Sequence, residues 1–262
     1  RGRHVKLAAN QSIDMLSGLS FFIADYDSIV SAGANRISLI DPDGNRQDYL
    51  GNFNYTYFGG LAWGSSDLTG FTQFEGNSIS WKATGLSIPG STYYEYAQSD
   101  DAPGLVSYAL RGNDSLTGSN DDDRLWSGGG NDKIKGLGGD DFLWGGPGKD
   151  SLTGGTGGDS FFFSSQDYTG ITQKRASTIT DFKPLQDGDR IYIYLLDSEG
   201  TQVPTSFVQS FSGIAGQYTA QRTSSGFLLA MDSTGDGLAD AFLNVRGIQV
   251  FEASYVADAV MA

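Results

Sequence analysis

A nine-residue repeat in the middle of the chain constrains its fold more than any other feature. Six aspartates follow one another at intervals of nine residues: Asp114, Asp123, Asp132, Asp141, Asp150 and Asp159. Two positions after each aspartate comes an apolar residue: Leu116, Leu125, Ile134, Leu143, Leu152 and Phe161. Because the interval does not vary across six units, we expect the units to share one conformation and to stack on one another.

Glycine precedes five of the six aspartates by two positions, and Asp121 takes this place in the second unit. These glycines are Gly112, Gly130, Gly139, Gly148 and Gly157. Glycine permits positive φ and lets its carbonyl approach an ion without a Cβ in the way. Nine residues can form one tight turn and one short strand, whose apolar residue points inward. The predicted fold class is therefore all-β, with the repeats forming a parallel β-roll.

Two nonapeptides make one coil of such a roll, so turns 18 residues apart should lie on the same edge. One edge then carries Asp114, Asp132 and Asp150, and the other carries Asp123, Asp141 and Asp159. Carboxylate and carbonyl oxygens are hard ligands that suit Ca²⁺. We expect ions between stacked turns, about four in all, held by the six aspartates and the five glycines. An ordinary hairpin would explain a single unit, but it does not explain six in register.

The repeat resembles the RTX nonapeptide, G-G-x-G-x-D-x-U-x with U apolar. The segment after it is similar to the one that follows the repeats in serralysin proteases and in the R-modules of alginate epimerases. The matching residues are Phe161–Phe163, Ile179–Phe182 and Asp189–Ile193. This resemblance implies a calcium-binding β-roll capped by further strands. It also favours Asp181 as an additional metal ligand over a solvated aspartate in a turn, and both interpretations stay open here.

A second candidate metal site lies near the C-terminus. Asp232, Asp236 and Asp240 form the pattern D-x-x-x-D-G-x-x-D between two apolar runs. Three carboxylates in a glycine-containing loop fit calcium. A hairpin turn with solvated aspartates fits the same pattern, and both interpretations stay open here.

Three regions are predicted along the chain: 1–110, 111–160 and 161–262. The first is β-rich, with a hairpin about the Pro-Asp-Gly turn at 42–44 and one or two short helices within 91–110. An aromatic cluster within 53–63 is either strand core, the commoner case, or a sugar-stacking platform. The second is the calcium-binding roll. The third is a β cap that ends in a segment compatible with the uncleaved type I secretion signal of RTX proteins.

Charge and composition exclude several classes of function. The net charge is −14, which disfavours nucleic acid as a partner. The absence of cysteine excludes disulfides and thiolate metal sites, and the single histidine, His4, excludes Ser-His-Asp triads and HExxH zinc sites. No catalytic residue is predicted, so an enzyme is the less favoured class. A carboxylate-based active site within 1–110 is the remaining enzymatic alternative.

The expected location is extracellular or at the cell surface. No apolar run approaches the length of a transmembrane segment, and the first residues lack the apolar block of a signal peptide. The leading hypothesis is a secreted, non-enzymatic surface or matrix protein, adhesin-like or self-assembling, whose folding is driven by extracellular calcium. The alternative is a polysaccharide-binding or polysaccharide-modifying module.

Overall fold

The computed structural model describes six strands within residues 6–89 by their pairing, and residues 109–168, 173–197 and 199–259 in full. The described residues are nearly all strand and turn, with short 3-10 helices at Ser165–Tyr168, Gln173–Arg175 and Ala253–Tyr255. No helix in these ranges is long and apolar enough to cross a membrane. The all-β prediction is confirmed.

Six strands come before the repeats: β1 (Lys6–Ala9), β2 (Ser28–Gly33), β3 (Arg36–Ile40), β4 (Arg46–Asn52), β5 (Asp67–Glu75) and β6 (Ser78–Pro89). Each repeat then contributes one strand: β7 (Ser115–Thr117), β8 (Arg124–Trp126), β9 (Lys133–Gly138), β10 (Phe142–Trp144), β11 (Ser151–Thr156) and β12 (Ser160–Ser164). The remaining strands are β13 (Ser177–Ile179), β14 (Arg190–Leu196), β15 (Gln202–Val203), β16 (Ser206–Phe207), β17 (Gln217–Thr223), β18 (Gly226–Asp232), β19 (Ala241–Arg246) and β20 (Val256–Asp258).

Alternate repeats build two parallel sheets, as the sequence predicts. Strands β7, β9 and β11 pair in one sheet, and β8, β10 and β12 pair in the other. In the first sheet the strand register aligns Leu116, Ile134 and Leu152, each 18 residues from the next. All six apolar repeat residues are completely buried. Because side chains alternate along a strand, these residues fill the space between the sheets while their neighbours face outward.

The roll continues past the last repeat. Strands β13 and β19 extend the first sheet, and β14 and β20 extend the second, all in parallel. Ile179 lies beside Leu152, and Ile191 lies beside Phe161. The buried core runs unbroken from Leu110 to Tyr255. The predicted cap is therefore built from further coils of the same roll, and no gap in the core marks residue 160.

An antiparallel meander closes the C-terminal end of the first sheet. Strand β17 pairs with β18, which pairs with β19, while β16 adds a short parallel edge beside β17. Tyr218, Leu229 and Met231 from these strands join the core cluster. This arrangement covers the edge and the apolar end that a stack of coils would otherwise expose.

The N-terminal strands extend the other end of the first sheet. Strand β1 pairs in parallel with β7, so that Leu7 lies beside Leu116, and pairs antiparallel with β6. Strands β5, β4, β3 and β2 follow in antiparallel order and complete a sheet of 14 described strands. The predicted hairpin is confirmed by the pairing of β3 with β4. The predicted aromatic cluster, and all but the last two residues of the predicted helical segment, lie outside the described residues.

Candidate metal centre

Two columns of aspartates run along the edges of the roll. In the first, the backbone N–H of Asp114 donates to Oδ1 of Asp132 at 2.7 Å, and that of Asp132 donates to Oδ1 of Asp150 at 3.0 Å. The second column repeats the arrangement through Asp123, Asp141 and Asp159, at 2.8 and 3.1 Å. All six aspartates are 3% exposed or less. The structure thus brings them together on the two predicted edges.

The interior aspartates of the columns each keep one buried oxygen without a donor. Oδ2 of Asp132, Asp141 and Asp159 is buried and accepts no hydrogen bond. At Asp123 and Asp150, protein donors are present instead. Ser119 donates to Oδ2 of Asp123, and Ser177 lies 3.3 Å from Oδ2 of Asp150. A buried carboxylate without compensation is costly, so the interior of each column favours a bound cation or a proton on the carboxyl group.

Burial raises the pKa of these carboxyl groups in the metal-free protein. The pKa of Asp132 rises to about 6, and those of Asp141, Asp150 and Asp159 rise to about 7. Desolvation is the largest cause in each case, and repulsion from neighbouring carboxylates adds to it, while backbone hydrogen bonds act in the opposite direction. A divalent cation would relieve both unfavourable effects at once.

The five predicted glycines lie beside the aspartate columns in columns of their own. Gly112, Gly130 and Gly148 stack along one edge, and a Cβ on Gly130 or Gly148 would collide with the carbonyl oxygen of the glycine 18 residues earlier. Gly139 and Gly157 stack along the other edge, below Asp121. Gly130 has φ of +145° and Gly139 of +100°, which favours glycine over other residues. Their carbonyl groups are therefore packed between consecutive turns.

A second set of glycines makes room for the carboxylates, and sequence reasoning missed it. A Cβ on Gly118, Gly136, Gly145 or Gly154 would collide with Oδ2 of the aspartate five residues later. The sequence contains a signal for them, because a glycine lies five residues before each of Asp123, Asp141, Asp150 and Asp159. Before Asp132 the position is occupied by Ser127, whose hydroxyl donates to the carbonyl oxygen of Gly145 at 2.9 Å.

Residues directly before the aspartates form an outer ladder that was also missed. Asn131 N–H donates to Oδ1 of Asn113, and Lys149 N–H donates to Oδ1 of Asn131. On the other edge, Asp140 N–H donates to Asp122, and Gly158 N–H donates to Asp140. These bonds run from a later turn to an earlier side chain, opposite in direction to those of the aspartate columns. Each pair of stacked turns is therefore held in both directions.

Asp189 continues the second column although it lies 30 residues after Asp159. Its Oδ1 accepts the N–H of Asp159 at 3.1 Å, as Asp159 accepts that of Asp141. The available signal was the sequence Asp189-Arg190-Ile191, which keeps the aspartate–x–apolar order of the repeats. In the first column Ser177 takes the equivalent place, and its Oγ accepts the N–H of Asp150 at 2.9 Å.

Asp181, predicted as a further ligand, lies against the last glycine turn of the second edge. Its Oδ1 accepts the N–H of Gly154 at 3.0 Å, and its Oδ2 accepts the N–H of Gly155 at 3.1 Å. Both oxygens are thus engaged with the backbone. Metal ligation by Asp181 stays a prediction.

The carboxylates of the C-terminal loop hold its backbone in place. Asp232 accepts the N–H groups of Gly235 and Gly237, at 2.6 and 2.9 Å. Asp240 accepts bonds from Ser233 and Thr234, and Asp236 accepts the N–H of Leu238. Across the described residues, neither this loop nor the columns bring three or more Asp, Glu, His or Cys side chains together at one point. These contacts favour the hairpin alternative, and ligation by the three aspartates stays a prediction.

Comparison with known proteins agrees with the repeat geometry. The family profile of the RTX calcium-binding nonapeptide repeat, which spans four copies, matches residues 106–134 and 126–161. No curated protein matches the chain. Among solved structures, the AlgE6R3 subunit of the mannuronan C5-epimerase from Azotobacter vinelandii is 26% identical over 56% of this chain and 79% of that one, with a TM-score of 0.41.

The family profile covers the same residues whose aspartates form the two buried columns. Hard oxygen ligands, tight glycine turns and uncompensated carboxylates all suit a divalent cation of the size of calcium. Its span of four copies agrees with the expectation of about four ions. Residues 106–161 are RTX calcium-binding nonapeptide repeats.

Proposed function

We propose that this chain is an extracellular protein whose folding is completed by calcium bound between the stacked turns. The observation that carries the proposal is the buried Oδ2 of Asp132, Asp141 and Asp159, which accepts no hydrogen bond. Residues 111–160 contain nine aspartates and five basic residues, so the excess negative charge repels itself when this part of the chain is compact. Ion binding offsets that repulsion, and its free energy becomes folding free energy.

The proposed ligands are the six column aspartates together with carbonyl groups of the glycine turns. The carboxylates lie at the edges of the roll, where each turn faces the turn 18 residues away. Carbonyls of the stacked glycine columns supply oxygens of the same hard character. The calcium supplies positive charge to the column, and the protein supplies the rigid turns that hold the oxygens in place.

Folding that depends on calcium would be delayed until the chain has left the cell. RTX repeats typically belong to extracellular proteins. At the low calcium concentration of a cytosol, the columns would lack their ions and the repeats would stay loose enough for export. Outside the cell, millimolar calcium would close the turns. The proposed role is that of a surface or matrix protein, in which the N-terminal strands, paired directly to the roll through β1, present the binding or assembling surface.

Circular dichroism of the full chain tests the calcium step. We expect little β signal in EDTA and a cooperative gain on titration to millimolar Ca²⁺, with magnesium at equal ionic strength as the control. Magnesium demands a smaller and more regular site, so it should not replace calcium. Identical spectra in EDTA and calcium, with no heat of binding, would refute the proposal.

The surface or matrix role needs a separate experiment. Dynamic light scattering with and without calcium measures whether the folded chain assembles into larger particles. The same protein is then applied to immobilised anionic polysaccharides. Calcium-dependent assembly supports the proposed role. A monomeric protein that binds or modifies polysaccharide would support the alternative function instead.

A further inference from the structure

The second column of aspartates ends at a boundary that differs from its interior. The last glycine turn, residues 154–159, faces the turn 136–141 on one side and the segment 181–189 on the other. We call the space on this second side the last gap. Asp189 closes it in the manner of a repeat aspartate, because its Oδ1 accepts the N–H of Asp159. By register, the last gap is therefore the next position at which an ion would be expected.

The side chain of Lys183 reaches into the last gap. Its ammonium donates to the carbonyl oxygen of Gly155 and to Oδ2 of Asp187, each at 3.0 Å. The negative charges of Asp181 and Asp189 also act on this amine. A positive charge from the protein itself thus contacts one carboxylate and a backbone carbonyl, with two further carboxylates nearby.

The carboxylate oxygens around the last gap have protein donors. Both oxygens of Asp181 accept backbone N–H groups. Oδ2 of Asp189 accepts the N–H of Lys183 at 2.8 Å, in addition to the bond at its Oδ1. One step earlier in the column, by contrast, Oδ2 of Asp141 and of Asp159 accepts no hydrogen bond. The end of the column thus has an ammonium group and protein donors, where its interior has carboxylate oxygens without a donor.

The contact with Gly155 separates this arrangement from an ordinary surface ion pair. A lysine and an aspartate four residues apart pair on many protein surfaces with little effect. Here the ammonium also binds the carbonyl of Gly155, which has φ of +116° and is paired in register with Leu137 of the preceding turn. That carbonyl belongs to the glycine turn itself and not to the loop that carries Lys183.

We propose that the ammonium of Lys183 is a built-in cation that takes the place of a calcium ion in the last gap and so ends the row of ions on this edge. The inference rests on the proposed function, since it assumes that calcium occupies the gaps between the repeats. In this arrangement Asp181 and Asp189 bind backbone and balance the ammonium, and they are not ion ligands in the natural sequence.

Calcium stoichiometry of the full chain tests this proposal. Lys183→Met removes the charge and keeps most of the side-chain volume, and Lys174→Met is the matched control because the Lys174 side chain is exposed. We expect one additional calcium ion per chain in Lys183→Met, by isothermal titration calorimetry and by metal analysis after dialysis, and no change in Lys174→Met. An unchanged count in a folded Lys183→Met protein would overturn the inference. Absence of calcium binding in the natural sequence would instead refute the proposed function.

A second measurement decides the question if Lys183→Met does not fold. In the calcium-loaded natural protein and in Asp187→Asn, the acetylation rate of Lys183 is compared with that of Lys174 by peptide mass spectrometry. A built-in cation stays protected in Asp187→Asn, because the carbonyl of Gly155 still accepts its hydrogen bond and the charges of the other two carboxylates still attract it. Loss of protection in Asp187→Asn would identify a simple ion pair and overturn the proposal.

Discussion

The two oxygens of each interior column aspartate have separate tasks. Oδ1 accepts a backbone N–H from the preceding coil and sets the position of the turn, as in the bond from Asp114 to Asp132. Oδ2 lies against the residue five positions earlier in the sequence. For Asp141 and Asp159 that residue is a glycine, Gly136 and Gly154, where a Cβ would collide with the oxygen. The first oxygen fixes geometry, and the second is left for the cation. A change of charge without a change of shape should therefore affect calcium affinity before it affects the fold.

Asp132→Asn should raise the calcium concentration at the folding midpoint more than Asp114→Asn. Asp132 has a stacked turn on both sides, since it accepts from Asp114 and donates to Asp150, whereas Asp114 begins its column. It should therefore serve two ions, and Asp114 one. Asparagine retains the Oδ1 acceptor in both variants, which makes them a matched pair. Equal midpoints in a calcium titration followed by circular dichroism would contradict the stacking argument.

Leu137→Gly should stabilise the calcium-loaded protein by about 1 kcal/mol. Leu137 has φ of +92°, the one positive value at a non-glycine residue in the described part of the chain. Its side chain is 44% exposed, so little packing is lost when it is removed. Relief of backbone strain should then exceed the entropy that glycine adds to the unfolded chain. Chemical denaturation at saturating calcium measures the difference, and a lower free energy of unfolding in the variant would show that packing dominates.

At the scale of elements, a strict interval was enough to predict how the repeat strands pair. The spacing of nine residues places Leu116, Ile134 and Leu152 in one column, and the structure pairs them so. Beyond residue 160 the interval is lost, and the next coil needs 27 residues from Leu152 to Ile179 and 30 from Phe161 to Ile191. Irregular insertions carry no periodic signal, which is why Asp189 and Ser177 were not predicted as the ends of the columns.

Hydrogen bonds from backbone N–H groups to aspartate side chains were the other feature that the sequence did not reveal. The loop at 232–240 has the composition of a metal site, yet Asp232 and Asp240 are aimed at N–H groups of their own loop. Aspartate satisfies local backbone donors as readily as it binds calcium. Residue types alone do not distinguish the two uses. The directions of the carboxylates favour the first use in this loop, and metal ligation there stays a prediction.

The two columns should make the calcium-free protein more stable in mild acid. The pKa values of Asp132, Asp141, Asp150 and Asp159 lie at about 6 to 7 in the metal-free fold, above the usual value near 3.8. A raised pKa in the folded state means that stability is present at low pH and is lost as the pH rises through the folded value. Circular dichroism in calcium-free buffer should therefore show a larger β signal at pH 5 than at pH 7.5.

Calcium affinity of the folded protein has the opposite dependence, because the ligands must be deprotonated. The calcium concentration that half-saturates the folded protein should accordingly fall between pH 5 and pH 7.5. The Asp132→Asn protein provides the control, since its column contains one titrating carboxylate fewer. A calcium-free β signal that rises with pH would show that the buried carboxylates do not govern stability.

At the scale of the whole molecule, one core joins the repeats to the segment that follows them. The ring of Phe182 meets those of Phe161 and Tyr255 edge to face, with its centroid 6.1 Å from each of theirs. Leu152 and Phe161 from the last repeats are covered by strands β13 and β14. Much of the apolar surface that closes the roll is therefore supplied by residues after 160.

A chain ending at residue 160 should stay unfolded even in millimolar calcium. Its last coil would lose both neighbouring strands and expose the apolar side chains that they cover, and a stack of coils needs a closed end to be stable. Adding residues 161–262 as a separate polypeptide provides the control. It should restore calcium binding if the shortened chain lacks only the strands that cover its last coil. Calcium-dependent folding of the shortened chain by itself would contradict a shared core.

The pairing of β1 with β7 has a mechanical consequence. Hydrogen bonds between strands lie across the strand direction, and through β1 they form one unbroken series from the N-terminal strands to the C-terminal meander. Tension along this series loads the coils one after another, so the weakest pair of coils yields first and the chain lengthens in steps. Calcium stiffens only the part of the series that the repeats occupy. In single-molecule pulling, chelation should therefore lower the yield force of the repeats and leave that of the flanking strands unchanged.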